Sequence, residues 1–130
     1  NSGPMVMYAW HSVPGYSAFG SYQGNNDPDG VFIHTGIKPA WILIKRVDNA
    51  DHWALYDSTR SPSNPAMLQL NPDLPNIENN NATNNPIDFL SNGFKFRTLD
   101  SRINGNERYV YAAFAENPTG SSNTSPATAR

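Results

Sequence analysis

WILIKRV, residues 41–47, is apolar on both faces of an extended chain: Trp41 and Leu43 point one way, Ile42 and Ile44 the other. Such a strand is central and covered twice, by two sheets or by a sheet and a partner chain. HWALY (52–56) follows after Asp48-Asn49-Ala50-Asp51, a spacing that predicts a hairpin. Outward from this pair the chain keeps offering short β-rich runs: YSAFGSY (16–22), VFIH (31–34), 67–70, IDFL (87–90), FKFRTL (94–99) and RYVYAAFA (108–115). Ser91-Asn92-Gly93 and Asn104-Gly105-Asn106 supply turns, so residues 87–115 are expected to form a three-strand meander. Phe94 and Phe96 face inward in that expectation, with Lys95 and Arg97 outward. Helical periodicity is interrupted everywhere by Pro, Gly or Asn. Seven or eight short strands at this spacing predict an all-β antiparallel β-sandwich of jelly-roll type.

Ile42, Ile44, Leu55, Phe94, Phe96, Val110 and Phe114 are the expected core. Residues 61–85 hold four Pro and eight Asn and predict a long surface loop with one short strand. The expected domain is 1–116, with 117–130 a flexible tail or linker free of bulky apolar residues. Asn1 in place of Met predicts a fragment or a processed product.

Composition narrows function. No Cys is present, which removes disulfides, thiolate metal sites and thiol catalysis. Nine Lys and Arg against eleven Asp and Glu give a net charge of −2 with no charge run, so neither nucleic acid nor membrane is an expected partner. Every apolar run is too short to span a bilayer. His11, His34 and His52 are isolated and predict no zinc site. Ser12 lacks a nucleophile-elbow context. Asp57, Glu78, Asp88, Glu107 and Glu116 are available carboxylates, but nothing in their spacing pairs two for glycoside hydrolysis. The chain is therefore expected not to be an enzyme.

What remains is amide and aromatic chemistry. The 17 Asn side chains offer donors and an acceptor suited to sugar hydroxyls, and aromatic faces suit the C–H faces of pyranose rings. Strand interiors belong to the core, so a ligand must meet loops or an exposed sheet face. The amide-rich connections are 23–29 and 76–85. They nominate Asn25, Asn26, Asn79, Asn80 and Asn81 as ligand-binding residues, with Trp53 as an aromatic partner. Asp27 and Asp29, two residues apart before Gly30, have hard oxygens at a spacing that can hold calcium; the competing reading is a plain turn, and no other cofactor is expected.

Five stretches in order carry a resemblance: YAWHSVPGYSAFGSYQGN (8–25), DGVFIHTGIKPAWILIKRVD (29–48), HWALYDSTR (52–60), IDFLSNGFKFRT (87–98) and YVYAAFAENP (109–118). Together they resemble a domain of uncharacterised function found near the C-termini of tailed-bacteriophage virion proteins, notably tail-fibre-like proteins of marine phages. The resemblance implies a jelly-roll or concanavalin-like β-sandwich on the outside of a virion, and it implies no catalytic residues. The expected function is host-surface adhesion by a tail-fibre or spike module that binds a host cell-surface glycan or protein. Other virion subunits are the further expected partners, with a homotrimer in the parent protein. The rival is a purely structural knob or decoration domain; a depolymerase is the third class.

Overall fold

The computed structural model describes residues 3, 4, 6–80 and 85–118. Among these the chain is all-β, with no helix. The strands are β1 (Ser17–Gln23), β2 (Phe32–His34), β3 (Pro39–Arg46), β4 (Ala54–Asp57), β5 (Leu68–Gln69), β6 (Asn79–Asn80), β7 (Ile87–Leu90), β8 (Gly93–Phe96) and β9 (Arg108–Ala115). One antiparallel sheet has the order β1-β9-β3-β4, a second β2-β8-β7, and β5 and β6 form a small ribbon.

The two larger sheets meet through their inner faces. Ile42 and Ile44 of β3, Tyr56 of β4 and Tyr109 and Ala113 of β9 pack against Ile33 of β2, Phe89 of β7 and Phe94 and Phe96 of β8. Phe94 and Phe96 share one face, as expected, and meet edge to face at 5.6 Å. One flank is laced shut. Ala66 exchanges backbone hydrogen bonds with Ile87 of the three-stranded sheet, and four residues later Leu70 does so with Leu55 of the four-stranded sheet. The 61–85 segment is thus more than a surface loop: Ala66 and Gln69 are buried, and Tyr56 Oη lies 3.1 Å from Gln69 Oε1 and 3.0 Å from the Asn85 carbonyl.

The expected meander is corrected. β7 and β8 form a hairpin, but β9 crosses into the other sheet and inserts between β1 and β3. The crossing segment, 97–107, buries Ile103 and Asn104 under one end of the sheets. Its carbonyls accept the Tyr22 and Tyr109 hydroxyls, at Ile103 and Ser101 respectively. A direct return to β8 would have left these groups without that lid. The hairpin turn also differs from expectation. Leu90 pairs with Gly93, so Ser91 and Asn92 make the turn without positive φ, and Gly93 is a strand residue.

The core expectation holds at Ile42, Ile44, Phe94 and Phe96 and fails at three positions. Val110 is 43% exposed, and Leu55 and Phe114 are half-buried, because all three lie on the opposite face of the four-stranded sheet. RYVYAAFA is apolar at both parities; Tyr109, Tyr111 and Ala113 took the inner side.

Candidate functional site

The register of the four-stranded sheet lays out its outer face as a grid. Across the middle run Phe19 (β1), Ala112 (β9), Leu43 (β3) and Leu55 (β4). Toward one end come Ser17, Phe114, Trp41 and Asp57. Toward the other come Ser21, Val110 and Lys45, and continuing the β3–β4 register one step sets Trp53 across from Lys45. Phe19, Phe114, Trp41 and Trp53 stand around the smaller or aliphatic Ala112, Leu43 and Val110, so the face is a trough.

The chain before β1 supplies the remaining wall. Trp10 stacks on Phe19 with centroids 6.1 Å apart, and Tyr8 stacks on Trp10 at 5.7 Å. Ser12 Oγ accepts the Phe19 N–H at 3.0 Å, and Val13 pairs with Ser17, which ties this arm to the β1 edge. Phe114 is the hub at the far end: Phe19 meets it edge-on at 5.7 Å and Trp41 at 5.4 Å. The groove has a volume of about 450 Å³, and Trp10, Trp41 and Trp53, every tryptophan of the chain, line it. Trp10 is 63% and Trp53 39% exposed, so ring faces remain open to a ligand. The second cover expected for β3 is therefore neither a third sheet nor a complete one; the arm roofs one side and leaves the trough open.

Of the residues nominated from sequence, Trp53 lies in this groove. Asn25, Asn26, Asp27 and Asp29 lie in a loop clasped to the 97–107 segment. Asn104 Nδ2 donates to Asn25 Oδ1 at 2.8 Å and to the Asp27 carbonyl at 3.0 Å, while the Asn26 N–H donates to the Asn104 carbonyl at 2.8 Å. Asn25 Nδ2 returns a bond to the Asp29 carbonyl, so its amide is engaged in loop structure at both ends. Asp27 Oδ1 accepts the Asp29 N–H at 2.8 Å, the geometry of a side-chain-capped turn. The Asp29 carboxylate lies 3.0 Å from Lys95 and 3.5 Å from Arg97. The Lys95 bond holds that carboxyl below the usual range. Asn79 and Asn80 pair with Gln69 and Leu68 as β6, and Asn81 lies outside the described residues. No group of three or more metal-ligating side chains occurs among the described residues.

A more open polar cleft of about 530 Å³ sits beside β5 and β6, between His52, Asn76, Glu78 and Arg102. Its carboxylates are engaged: Glu78 with Arg60, and neighbouring Asp73 with His52 at 2.9 Å.

Sequence reasoning missed Trp10, Phe19, Trp41 and Phe114 as site residues. Phe114 was expected in the core because a hydrophobic residue on a strong strand looks the same on either face, and the same ambiguity applies to Trp41. The signal available was the double-sided apolarity of 41–44 itself, which left one face needing an explanation.

Neither a curated protein nor a solved structure matches this chain. Residues 1–118 match a domain of unknown function, and the chain belongs to that family, DUF7483.

Proposed function

We propose that this chain is a non-catalytic adhesion module that binds a cell-surface glycan in the aromatic groove on the outer face of its four-stranded sheet. The observation that carries the reading is the convergence of all three tryptophans, with Phe19 and Phe114, on one open trough. Aromatic faces are electron-rich and complement the C–H faces of pyranose rings, and a trough three strands wide accepts an extended oligosaccharide rather than a single sugar. The proposal sets the module on a virion, in a tail fibre or spike, as the sequence resemblance implies. It takes the fold to be a jelly roll, supported by the pairing of β1 with β9, the first strand with the last. It assigns no catalytic step and needs no cofactor; the pairing of Asp57 and Glu78 with Arg60 and the bond of Asp73 to His52 favour binding over turnover.

The test is a glycan array probed with the whole chain, Trp10→Ala and Trp53→Ala. Each substitution is expected to weaken retention about tenfold or more while leaving the melting temperature nearly unchanged, since both rings are substantially exposed. Retention that survives both substitutions sinks the reading.

A specific observation favours one rival, a structural knob that assembles with other virion subunits as a homotrimer. Val6 is 80% and Met7 87% exposed beside Tyr8, an apolar surface on the arm. In that case the array stays blank and sedimentation shows a trimer that Met7→Asp dissociates.

A further inference from the structure

The charges of the chain are distributed unevenly around the groove. Lys38, Arg46, Arg60, Lys95, Arg97 and Arg102 each form an ion pair with a carboxylate. Among the described residues, the Lys and Arg side chains with no ion pair are Lys45 and Arg108. Both lie on the outer face of the four-stranded sheet, at the same end. Lys45 lies opposite Val110, and Arg108 precedes Val110 by two positions on the same strand face, so the two α-carbons are about 8 Å apart. Lys45 lines the groove and stands across from Trp53. Its Nζ donates to the Arg46 carbonyl at 2.7 Å and the Asn49 carbonyl at 3.4 Å, which uses two of three N–H groups and neutralises no charge. Asp48 Oδ2 accepts the Arg108 backbone N–H at 3.0 Å, Asp51 and Glu107 share Arg46, and Asp73 accepts the Trp53 backbone N–H at 3.0 Å and bonds His52. Lys45, Arg46 and Arg108 are balanced at the rim by Asp48, Asp51 and Glu107, but within the groove lining the charged side chain is Lys45 and no acid is present.

We propose that the groove selects an acidic glycan, with a hexuronate stacked on Trp53 and its carboxylate paired with Lys45, and the carboxylate of a neighbouring sugar reaching Arg108. This rests on the glycan-binding reading above and names its ligand class. A uronic acid carries its carboxylate at the rim of the pyranose, so a ring lying on an indole projects that group sideways, where a cross-strand ammonium stands. A neutral sugar leaves the Lys45 ammonium without a counter-charge inside the trough, and the aromatic walls focus its field there.

Calorimetry with hexameric oligogalacturonate and oligomannuronate, each compared with its carboxyl-reduced counterpart and with a sulfated neutral hexamer, tests this. The probes are titrated into the whole chain, Lys45→Gln, Arg108→Gln, Lys45→Arg and Trp53→Ala. At least one uronate is expected to bind about tenfold more tightly than its reduced form, the gain of one charge-assisted hydrogen bond. Lys45→Gln and Arg108→Gln erase that preference without touching the reduced form, and Lys45→Arg keeps it. Added salt weakens the uronate alone. Trp53→Ala weakens both forms. Equal affinity for acidic and reduced forms, a preference that survives Lys45→Gln and Arg108→Gln, or tighter binding of the sulfated hexamer overturns this inference and leaves glycan binding standing. If no hexamer binds and the glycan array is also blank, both fall.

Discussion

Asn104 is fully buried, and its amide closes one end of the molecule. Nδ2 donates to the Thr98 carbonyl at 2.7 Å besides its bonds to Asn25 and the Asp27 carbonyl, and Oδ1 accepts the Asn25 N–H at 3.4 Å. One side chain therefore fastens the 24–30 loop to the 97–107 crossing. Asn104→Ala strands the buried Thr98 carbonyl and unfastens the exposed Asn25 and Asp27, and we expect a loss of about 2 kcal/mol in denaturant unfolding. A loss below about 1 kcal/mol would mean that water replaces the amide at no cost. Phe96→Ala, which empties a fully buried site, is expected to cost about 3–5 kcal/mol. Phe96 was legible in the sequence because its alternation with Lys95 and Arg97 is unambiguous. Asn104 was not: an Asn-Gly pair between strands reads as a turn, and which buried carbonyls surround it depends on contacts 79 residues away in the chain. The same ambiguity hid the structural part these residues play: the Asn25 amide and the Asn26 backbone N–H both help hold the loop.

At the level of elements, local pattern located almost every strand, and β7 and β9 occur at their expected bounds. β6 was hidden, since two asparagines carry no β signal of their own and owe their pairing to β5. Sheet membership was less legible than strand position. β8 and β9 are neighbours in sequence, and a short connection favours pairing, but burying Ile103 and Asn104 beneath the sheets requires a crossing. Gly93 shows how tightly the elements meet. A Cβ there would lie 2.0 Å from the Ile33 carbonyl oxygen, on the β2 strand that pairs with β8. Gly93→Ala must push β2 away, and we expect at least about 2 kcal/mol of destabilisation, with the loss of hydrogen-exchange protection concentrated at Ile33 and His34. Uniform loss of protection across both sheets would show that the close approach is not confined to this edge.

The whole molecule behaves as one unit in this architecture, because the 66–70 segment is hydrogen-bonded to both sheets and Tyr22 and Tyr109 hold the lid. Its pH limits follow from two sets of groups. Lys95 holds Asp29 below the usual carboxylate range; at Asp57, Asp73 and Asp100 burial opposes ionisation, but bonds from Arg60, His52 and Arg102 outweigh it and lower those carboxyls too. Below about pH 4 the unfolded chain takes up protons that the native state resists, so stability falls there as pH drops. At the alkaline end the sign reverses. Burial pushes Tyr22, Tyr56, Tyr109 and Tyr111 above the ordinary phenol value. Above about pH 10 the unfolded chain releases phenolic protons that the native state retains, so the stability present below that pH is lost as pH rises further. Tyr22, Tyr56 and Tyr109 bond the lid and the 61–85 segment through their hydroxyls, so their ionisation is expected to accompany opening of the core, whereas Tyr111 is half-buried and lines the groove. In a Tyr8→Phe, Tyr16→Phe, Tyr111→Phe variant, where tyrosinate absorbance reports on Tyr22, Tyr56 and Tyr109 alone, the absorbance rise should coincide with the collapse of near-ultraviolet circular dichroism. Tyrosinate appearing near pH 10 with the dichroism intact would show that the phenols reach solvent in the folded state.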